Sequence, residues 1–237
     1  MSTTTWTGRT GSRLAAPPAI RAPADLAPLI DHTLLKPDAT ADEVRALCAE
    51  AARWGFAGVC VRPEWVAEAA RRLAGTKVHT VSVVDFPAGA GTTPARVAEA
   101  LGAIACGAEE IDAVIALPAL LGRDYRYVLL DLVELVGRAG VPVKVILETC
   151  RLSREQKAIG CALARAAGAA FVKTSTGFAE GGATAEDVAL MRSVVGEEMG
   201  VKASGGIRTA ADARRMVEAG ADRLGASASV AIVTGGF

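Results

Sequence analysis

The sequence has few of the features that mark membrane proteins and nucleic-acid-binding proteins. No apolar run approaches the roughly 20 residues that a membrane-spanning helix needs. Basic and acidic residues balance at 26 each, so no excess of positive charge favours nucleic acid or an anionic lipid surface. The composition therefore predicts neither a nucleic acid nor a membrane as a partner.

Cysteine and histidine are also scarce and scattered. No Cys-x-x-C pair occurs among the five cysteines, which are Cys48, Cys60, Cys106, Cys150 and Cys161. Their odd number and wide spacing predict free thiols in a reducing, cytoplasmic compartment. His32 and His79 lie far from any cysteine pair, which argues against a structural zinc site. Both lie in or beside apolar strands, so we expect structural rather than catalytic histidines.

The first 24 residues contain no acidic residue and no apolar periodicity. Their content of Ser, Thr, Ala, Pro and Arg predicts a disordered N-terminal extension, and a transit peptide remains an alternative. They also lack the continuous apolar core of a secretory signal. Residues 25–237, in a chain that is 51% hydrophobic, are enough to bury the core of one catalytic domain.

From about residue 27 onward, short apolar runs alternate with helical patterns. The predicted strands are Pro28–His32, Ala57–Val61, Val78–Val84, Glu110–Ile115, Val143–Glu148, Ala170–Thr174, Val201–Ser204 and Asp222–Ala226. Seven helices are predicted between them, ending at Gly55, Gly75, Gly107, Gly140, Gly168, Gly196 and Gly220. Capping residues are predicted at Thr40, Thr93, Ser153, Thr184 and Thr209. After the eighth strand only Ser229 to Phe237 remain, so the last helix must be short.

Strict alternation of strand and helix predicts parallel strands joined by right-handed crossovers. Eight such units close into a single (β/α)8, or TIM, barrel. An open doubly wound sheet is the alternative, but it usually carries a glycine fingerprint after its first strand. Here the first strand is followed by Leu34-Leu35-Lys36-Pro37. The barrel is therefore favoured.

Lysines in the apolar strands point to covalent chemistry. A barrel places its catalytic groups at the carboxyl ends of its strands, and Lys144, Lys173 and Lys202 occur in strands five, six and seven. Alternation puts Phe171 and Lys173 on one face of strand six. If Lys173 and Lys202 both face inward, two ammonium groups meet inside the barrel.

A neighbouring cation and an apolar wall both disfavour protonation of a lysine, and a neutral amine attacks carbonyl carbons. Asp112, on strand four, can move protons during such a reaction. The alternative is that each lysine extends along the strand end to solvent.

Two glycine-rich turns predict a phosphate site. Gly205-Gly206-Ile207-Arg208 follows strand seven, and Gly225-Ala226-Ser227 ends strand eight. Barrels often bind phosphate with these two loops, because glycine lets backbone N–H groups approach the oxygens. Two tight turns without a ligand remain the alternative.

Three segments resemble the bacterial 2-deoxyribose-5-phosphate aldolase family. They are Leu29–Pro37 (LIDHTLLKP), Phe171–Phe178 (FVKTSTGF) and Val201–Arg208 (VKASGGIR), and the resemblance covers about residues 26–234. It implies a (β/α)8 barrel that reversibly cleaves deoxyribose 5-phosphate to glyceraldehyde 3-phosphate and acetaldehyde through a lysine Schiff base. No metal or organic cofactor is implied.

The resemblance also implies a role for each matching residue. Lys173 is similar to the Schiff-base lysine, Lys202 to the lysine that perturbs it, and Asp112 to the proton-transfer acid. Asp31 and Thr33 match polar groups around a substrate hydroxyl. Phosphate-loop positions of the family are matched by Gly177, Gly205, Gly206 and Ser227, and the two glycine-rich turns add Arg208 and Gly225 to the expected substrate-binding residues.

Three positions depart from the family pattern. Asp85 stands where the family usually has glycine, Ala116 where it often has asparagine, and Ala228 where it has a second serine. Another sugar-phosphate barrel enzyme and a non-catalytic sugar-phosphate-binding paralogue remain alternative functions. A homodimer or larger homo-oligomer is a further expectation.

Overall fold

The computed structural model describes residues 19–237. Most of the extension predicted over residues 1–24 therefore lies outside the described residues. Within the described part, a 3-10 helix spans Pro23–Leu29. Pro23 and Ala24, which we assigned to the extension, thus begin an element that packs against the barrel through the buried Leu26.

Eight parallel strands form a closed barrel in chain order, with β1 hydrogen-bonded to both β2 and β8. Their bounds are β1 Ile30–Leu34, β2 Gly58–Val61, β3 His79–Val84, β4 Glu110–Val114, β5 Val143–Ile146, β6 Phe171–Lys173, β7 Gly200–Ser204 and β8 Arg223–Ala226. The predicted barrel is confirmed. The first strand begins at Ile30 rather than Pro28, because Pro28 belongs to the 3-10 helix.

Nine α-helices are present in residues 19–237. Their bounds are α1 Ala41–Trp54, α2 Val66–Leu73, α3 Thr93–Ala105, α4 Leu117–Leu121, α5 Tyr125–Ala139, α6 Arg154–Ala166, α7 Ala185–Val195, α8 Ala210–Glu218 and α9 Ser229–Thr234. Helix α4, which the sequence pattern did not predict, precedes α5 in the connection from β4 to β5. It carries Pro118 in its first turn, where a proline costs no hydrogen bond.

The helix boundaries follow the expected local chemistry. Thr40 and Ser153 form reciprocal capping boxes, and all seven glycines expected to end helices have a positive φ. The cap predicted at Thr93 is wrong by one residue, since Thr92 is the N-cap of α3. The Thr93 hydroxyl instead donates to Asp131 Oδ1, 2.7 Å away, and so joins α3 to α5.

The strands divide apolar and polar side chains between two regions. Val172 is fully buried in the apolar core between the barrel and its helices. Its neighbour Lys173 points into the barrel, where it contacts Asp112 of β4. This alternation places charged side chains from several strands inside the barrel, where they are surrounded by protein.

Candidate active site

Strand register brings the functional side chains together. Asp112 on β4 is the register partner of Lys144 on β5, and Lys173 on β6 is the partner of Lys202 on β7. All four side chains point into the barrel and have 3% or less of their surface exposed. Three lysines in three successive strands therefore surround one aspartate.

The Asp112 carboxylate binds all three ammonium groups. Its Oδ1 atom accepts a hydrogen bond from Lys144 Nζ at 2.8 Å. Its Oδ2 atom accepts from both Lys173 Nζ and Lys202 Nζ, each at 2.8 Å. Lys173 and Lys202 thus share a single oxygen, and a proton on either amine lies one hydrogen bond from the same carboxylate.

The electrostatics of this cluster keep Asp112 ionised and Lys202 protonated. Burial disfavours the charged form of Asp112, but Lys144, Lys173 and Lys202 outweigh it and hold the pKa of Asp112 well below its usual range. Burial likewise disfavours the charged form of Lys202, but Asp112 and Asp31 raise the pKa of Lys202 above its usual range. Lys202 is therefore a permanent cation at neutral pH.

Asp31 lies behind Lys202 rather than beside the open cleft. It is fully buried, accepts a hydrogen bond from Lys202 Nζ, and accepts a second from Arg223 Nη1 at 2.7 Å. Thr33, two residues further along β1, lines the cleft and donates to the Asp31 carbonyl oxygen at 2.8 Å. Asp31 and Thr33 were both expected near the substrate hydroxyl. Asp31 is buried beneath the cleft, whereas Thr33 lies on its wall.

Two members of the cluster were not identified from the sequence. Arg223 begins β8 and lies with Nη2 3.6 Å from Glu110 Oε1, while Glu110 Oε2 lies 2.6 Å from Lys144 Nζ. A signal for Glu110 was present, because it stands two residues before Asp112 and so faces the same side of β4. Arg223 stands two residues before Gly225 and so faces the same side of β8, a weaker signal because glycine carries no functional side chain.

An open cleft of about 410 Å³ lies at the carboxyl ends of β6, β7, β8 and β1. Among the described residues that line this cleft, Lys173 is the only one that belongs to the buried charged cluster. The same cleft is lined by most of the residues expected to bind substrate, namely Thr33, Gly177, Gly205, Gly206, Arg208, Gly225 and Ser227. The amine and the glycine-rich loops therefore face one common space.

The loop after β7 has a backbone that favours glycine at two successive positions. Gly205 and Gly206 have φ values of +86° and +78°, a region that L side chains rarely adopt. A Cβ atom on Gly205 would lie 3.0 Å from the Cα atom of Gly182, so this position also requires glycine for close packing. Arg208 is exposed just beyond these residues.

Neither histidine, expected to be structural rather than catalytic, is among the residues that line this cleft. His32 is buried, and its Nε2 atom lies 2.8 Å from Glu50 Oε2. Its ring also makes an edge contact with Phe56. His79 is about half exposed at the start of β3.

The three departures from the family pattern lie where a strand leads into a loop or where a helix begins. Asp85 has a φ of +53°, a conformation that glycine adopts more easily, and its Oδ2 atom accepts from the Gly91 N–H at 2.9 Å. This hydrogen bond supports the loop after β3. Ala116 is buried as the N-cap of α4, and Ala228 is the N-cap of α9. Neither alanine can donate or accept a side-chain hydrogen bond there.

No helix within residues 19–237 is long and apolar enough to cross a bilayer. In the same residues, no group of three or more His, Cys, Asp or Glu side chains is arranged to hold a metal ion. All five cysteines lie in this part of the chain and are free.

Known deoxyribose-phosphate aldolases are similar to this chain in both sequence and structure. The profile of the family described as "DeoC/LacD family aldolase" matches residues 26–235. The deoxyribose-phosphate aldolase of Bacillus mycoides is 54% identical over 211 residues, covering 88% of this chain and 95% of that protein. That of Caldanaerobacter subterraneus is 52% identical over 213 residues, covering 88% and 92%. The tetrameric deoxyribose phosphate aldolase structure from Aeropyrum pernix superposes with a TM-score of 0.83 at 36% identity, covering 90% of this chain and 91% of that one.

Proposed function

Because the chain belongs to the DeoC/LacD family of aldolases, we propose that it reversibly cleaves 2-deoxyribose 5-phosphate to glyceraldehyde 3-phosphate and acetaldehyde. One observation carries the proposal for the reacting group. Lys173, only 2% exposed, is the member of the buried charged cluster that lines the cleft, and it shares its single carboxylate oxygen with Lys202. An amine in this position can reach the aldehyde of a substrate in the cleft. It also shares its counter-ion, the Asp112 carboxylate, with the Lys202 cation.

The chemistry follows from this geometry. Neutral Lys173 adds to the C1 aldehyde of the open-chain sugar, and the carbinolamine loses water to give an iminium ion. Loss of the proton from the C3 hydroxyl then breaks the C2–C3 bond, and its electron pair passes into the iminium to form an enamine. Glyceraldehyde 3-phosphate leaves, the enamine is protonated at C2, and water releases acetaldehyde from Lys173.

Asp112 is the proposed proton carrier at the nitrogen. Its Oδ2 atom lies 2.8 Å from Lys173 Nζ, within the distance that general acid–base catalysis requires. Lys202 lies at the same distance from that oxygen and holds it in place beside the Lys173 amine. Asp31 holds Lys202 from the opposite side and keeps its ammonium group in place. Thr33, which lines the cleft, is the proposed contact for a substrate hydroxyl.

A covalent adduct tests the proposed nucleophile. We expect the protein, incubated with acetaldehyde and then reduced with borohydride, to gain the mass of one ethyl group on the peptide that carries Lys173. Peptide mass spectrometry locates the modified residue. An adduct confined to Lys202 or Lys144 would contradict the assignment, and cleavage of the sugar phosphate with no adduct on any lysine would contradict the Schiff-base route.

The glycine-rich loops are the proposed phosphate site. The supporting geometry is the turn at Gly205 and Gly206 together with exposed Arg208, all on the cleft that contains Lys173. Gly177, Gly225 and Ser227 complete its wall.

Arg208→Gln should raise the KM for deoxyribose 5-phosphate by up to about fivefold, since an exposed ion pair contributes up to about 1 kcal/mol. The KM for unphosphorylated deoxyribose should not change. Arg214→Gln is the matched control, because Arg214 is an exposed arginine of α8 that pairs with Glu218. Equal effects on both substrates would mean that Arg208 does not contact the phosphate.

We further propose a homo-oligomer in the cytoplasm. Exposed apolar side chains on the neighbouring helices α3 and α5 support self-association, and they are Leu101, Tyr127, Leu130 and Val133. The relative from Aeropyrum pernix is described as tetrameric. Sedimentation of the protein measures its mass in solution, and a monomer at micromolar concentration would contradict the proposal. The five free thiols are consistent with a reducing compartment.

A further inference from the structure

The buried charges form a closed ring of alternating sign. Each of its six members contacts two neighbours of opposite charge, in the order Asp112, Lys144, Glu110, Arg223, Asp31, Lys202 and back to Asp112. The ring therefore contains three cations and three anions. Lys173 is attached to it from outside, through the Asp112 oxygen that Lys202 also binds.

This arrangement leaves Lys173 without a carboxylate of its own. Each cation of the ring contacts two carboxylates, whereas Lys173 contacts one oxygen that is already occupied. A buried charge is costly unless it is paired. With Lys173 protonated, the site holds four cations against three carboxylates, an excess of one positive charge, and Lys173 is the cation with the fewest carboxylate contacts.

Other titratable groups near Lys173 do not remove the excess. Cys60 on β2 is buried, and burial raises the pKa of its thiol to about 11, so it is neutral at pH 7. Glu148, beyond the end of β5, is buried and receives the hydroxyl and the N–H of Thr176. At the cleft, Lys36 is paired with Glu43, its Nζ atom 2.7 Å from Oε1, and exposed Arg208 is a cation, so neither supplies a counter-ion to Lys173.

We propose that Glu110 and Arg223 are positioning residues that set the pH at which Lys173 forms the Schiff base, through the charge balance of the ring. Neither residue lines the cleft, so neither touches the substrate there. The inference rests on the proposed function, in which Lys173 is the nucleophile.

The two residues carry opposite charges, so their neutral variants should shift the reaction in opposite directions. Glu110→Gln leaves four cations against two carboxylates, and deprotonation of Lys173 then becomes easier. Arg223→Gln leaves three cations against three carboxylates, and the proton on Lys173 is then fully compensated. We expect shifts of about one pH unit down and up respectively, equal to about a tenfold change in free amine on the acidic side of the midpoint.

The measurement is the rate of adduct formation on Lys173 with acetaldehyde and cyanoborohydride, from pH 5 to 10, followed by peptide mass spectrometry. The pH at which the adduct rate reaches half of its maximum is the midpoint. This midpoint should be lower than the parent's for Glu110→Gln and higher for Arg223→Gln. Arg223→Lys keeps the charge and should keep the parent midpoint even if its rate is lower. Glu109→Gln is a matched control, since Glu109 is half exposed outside the ring.

Structural damage alone would lower the rates without moving the midpoints in opposite directions. Unchanged midpoints, or shifts in the same direction, overturn the inference. If Arg223→Gln does not fold, the Glu110→Gln midpoint decides alone, because a value equal to the parent's contradicts the proposal. A parent protein that forms no adduct on Lys173 refutes the proposed function itself, which is a distinguishable result.

Discussion

Lys173→Leu should abolish both aldol cleavage and adduct formation at every pH, while the protein stays folded. We expect the turnover number to fall by more than about 10,000-fold, because the nucleophile and the proton transfers coupled to it are lost together. Raising the pH cannot restore the reaction, since no other amine of the buried cluster lines the cleft among the described residues. The measurements are initial rates of glyceraldehyde 3-phosphate release and mass spectrometry after borohydride treatment.

The expected stability of this variant follows from the charge ring. Without Lys173, three cations still face three carboxylates, and each carboxylate keeps two partners. Leucine fills a similar volume at a position that is only 2% exposed. Removing one partner of a buried ion pair is costly when it leaves the other charge unpaired, but Asp112 keeps Lys144 and Lys202 in this variant. The free energy of unfolding should therefore equal or exceed that of the parent.

Lys77→Leu is a suitable control, because Lys77 is exposed near the start of β3, at the opposite end of the barrel from the cleft. Its activity and adduct should match those of the parent. Residual adduct at another lysine in Lys173→Leu, together with measurable turnover, would assign the chemistry elsewhere. A large loss of stability would instead show that Lys173 is compensated within the cluster and does not carry excess charge.

The sequence was sufficient to predict the barrel because its signals are local. Alternating apolar runs and glycines such as Gly55 and Gly140, both left-handed at helix ends, mark the units one by one. The errors are also local. Pro28 was assigned to a strand although it belongs to a 3-10 helix, and Thr93 was taken as a cap although Thr92 precedes it in that role. Such boundaries depend on backbone angles that a pattern of residue types does not determine.

The site was predictable only in part, since its chemistry depends on contacts between distant strands. Lys173, Lys202 and Asp112 could be selected because charges are unusual in apolar strands. Asp31 and Arg223 are 192 positions apart in the chain. They come into contact because β1 and β8 pair and close the barrel. Pairing across that closure converts an open row of charges into a ring. No spacing in the sequence carries this information.

Asp112→Asn should lower activity and stability together, in contrast to Lys173→Leu. An asparagine cannot accept protons at neutral pH, so we expect turnover to fall by about 100- to 10,000-fold. Even with Lys173 neutral, three buried cations would then face only two carboxylates, those of Asp31 and Glu110. Removing one partner of a buried charged pair typically costs about 3–5 kcal/mol of unfolding free energy. Asp42→Asn, at an 87% exposed side chain paired with Arg45, should change neither property measurably.

The pH dependence of stability distinguishes the electrostatic cause from a packing defect in Asp112→Asn. Burial opposes ionisation of Asp112, but the three lysines hold its pKa well below the ordinary value in the folded protein. A carboxyl whose pKa is lower in the folded state contributes its full stabilisation above the unfolded pKa, which is about 3.9. That stabilisation is lost as the pH falls through the folded value. Urea unfolding measures the difference in unfolding free energy between the parent and Asp112→Asn. This difference should be constant above about pH 5 and should shrink below about pH 4. A difference that stayed constant down to pH 2 would mean that the loss comes from packing or hydrogen-bond geometry, and that the Asp112 charge does not hold the three lysines in the barrel.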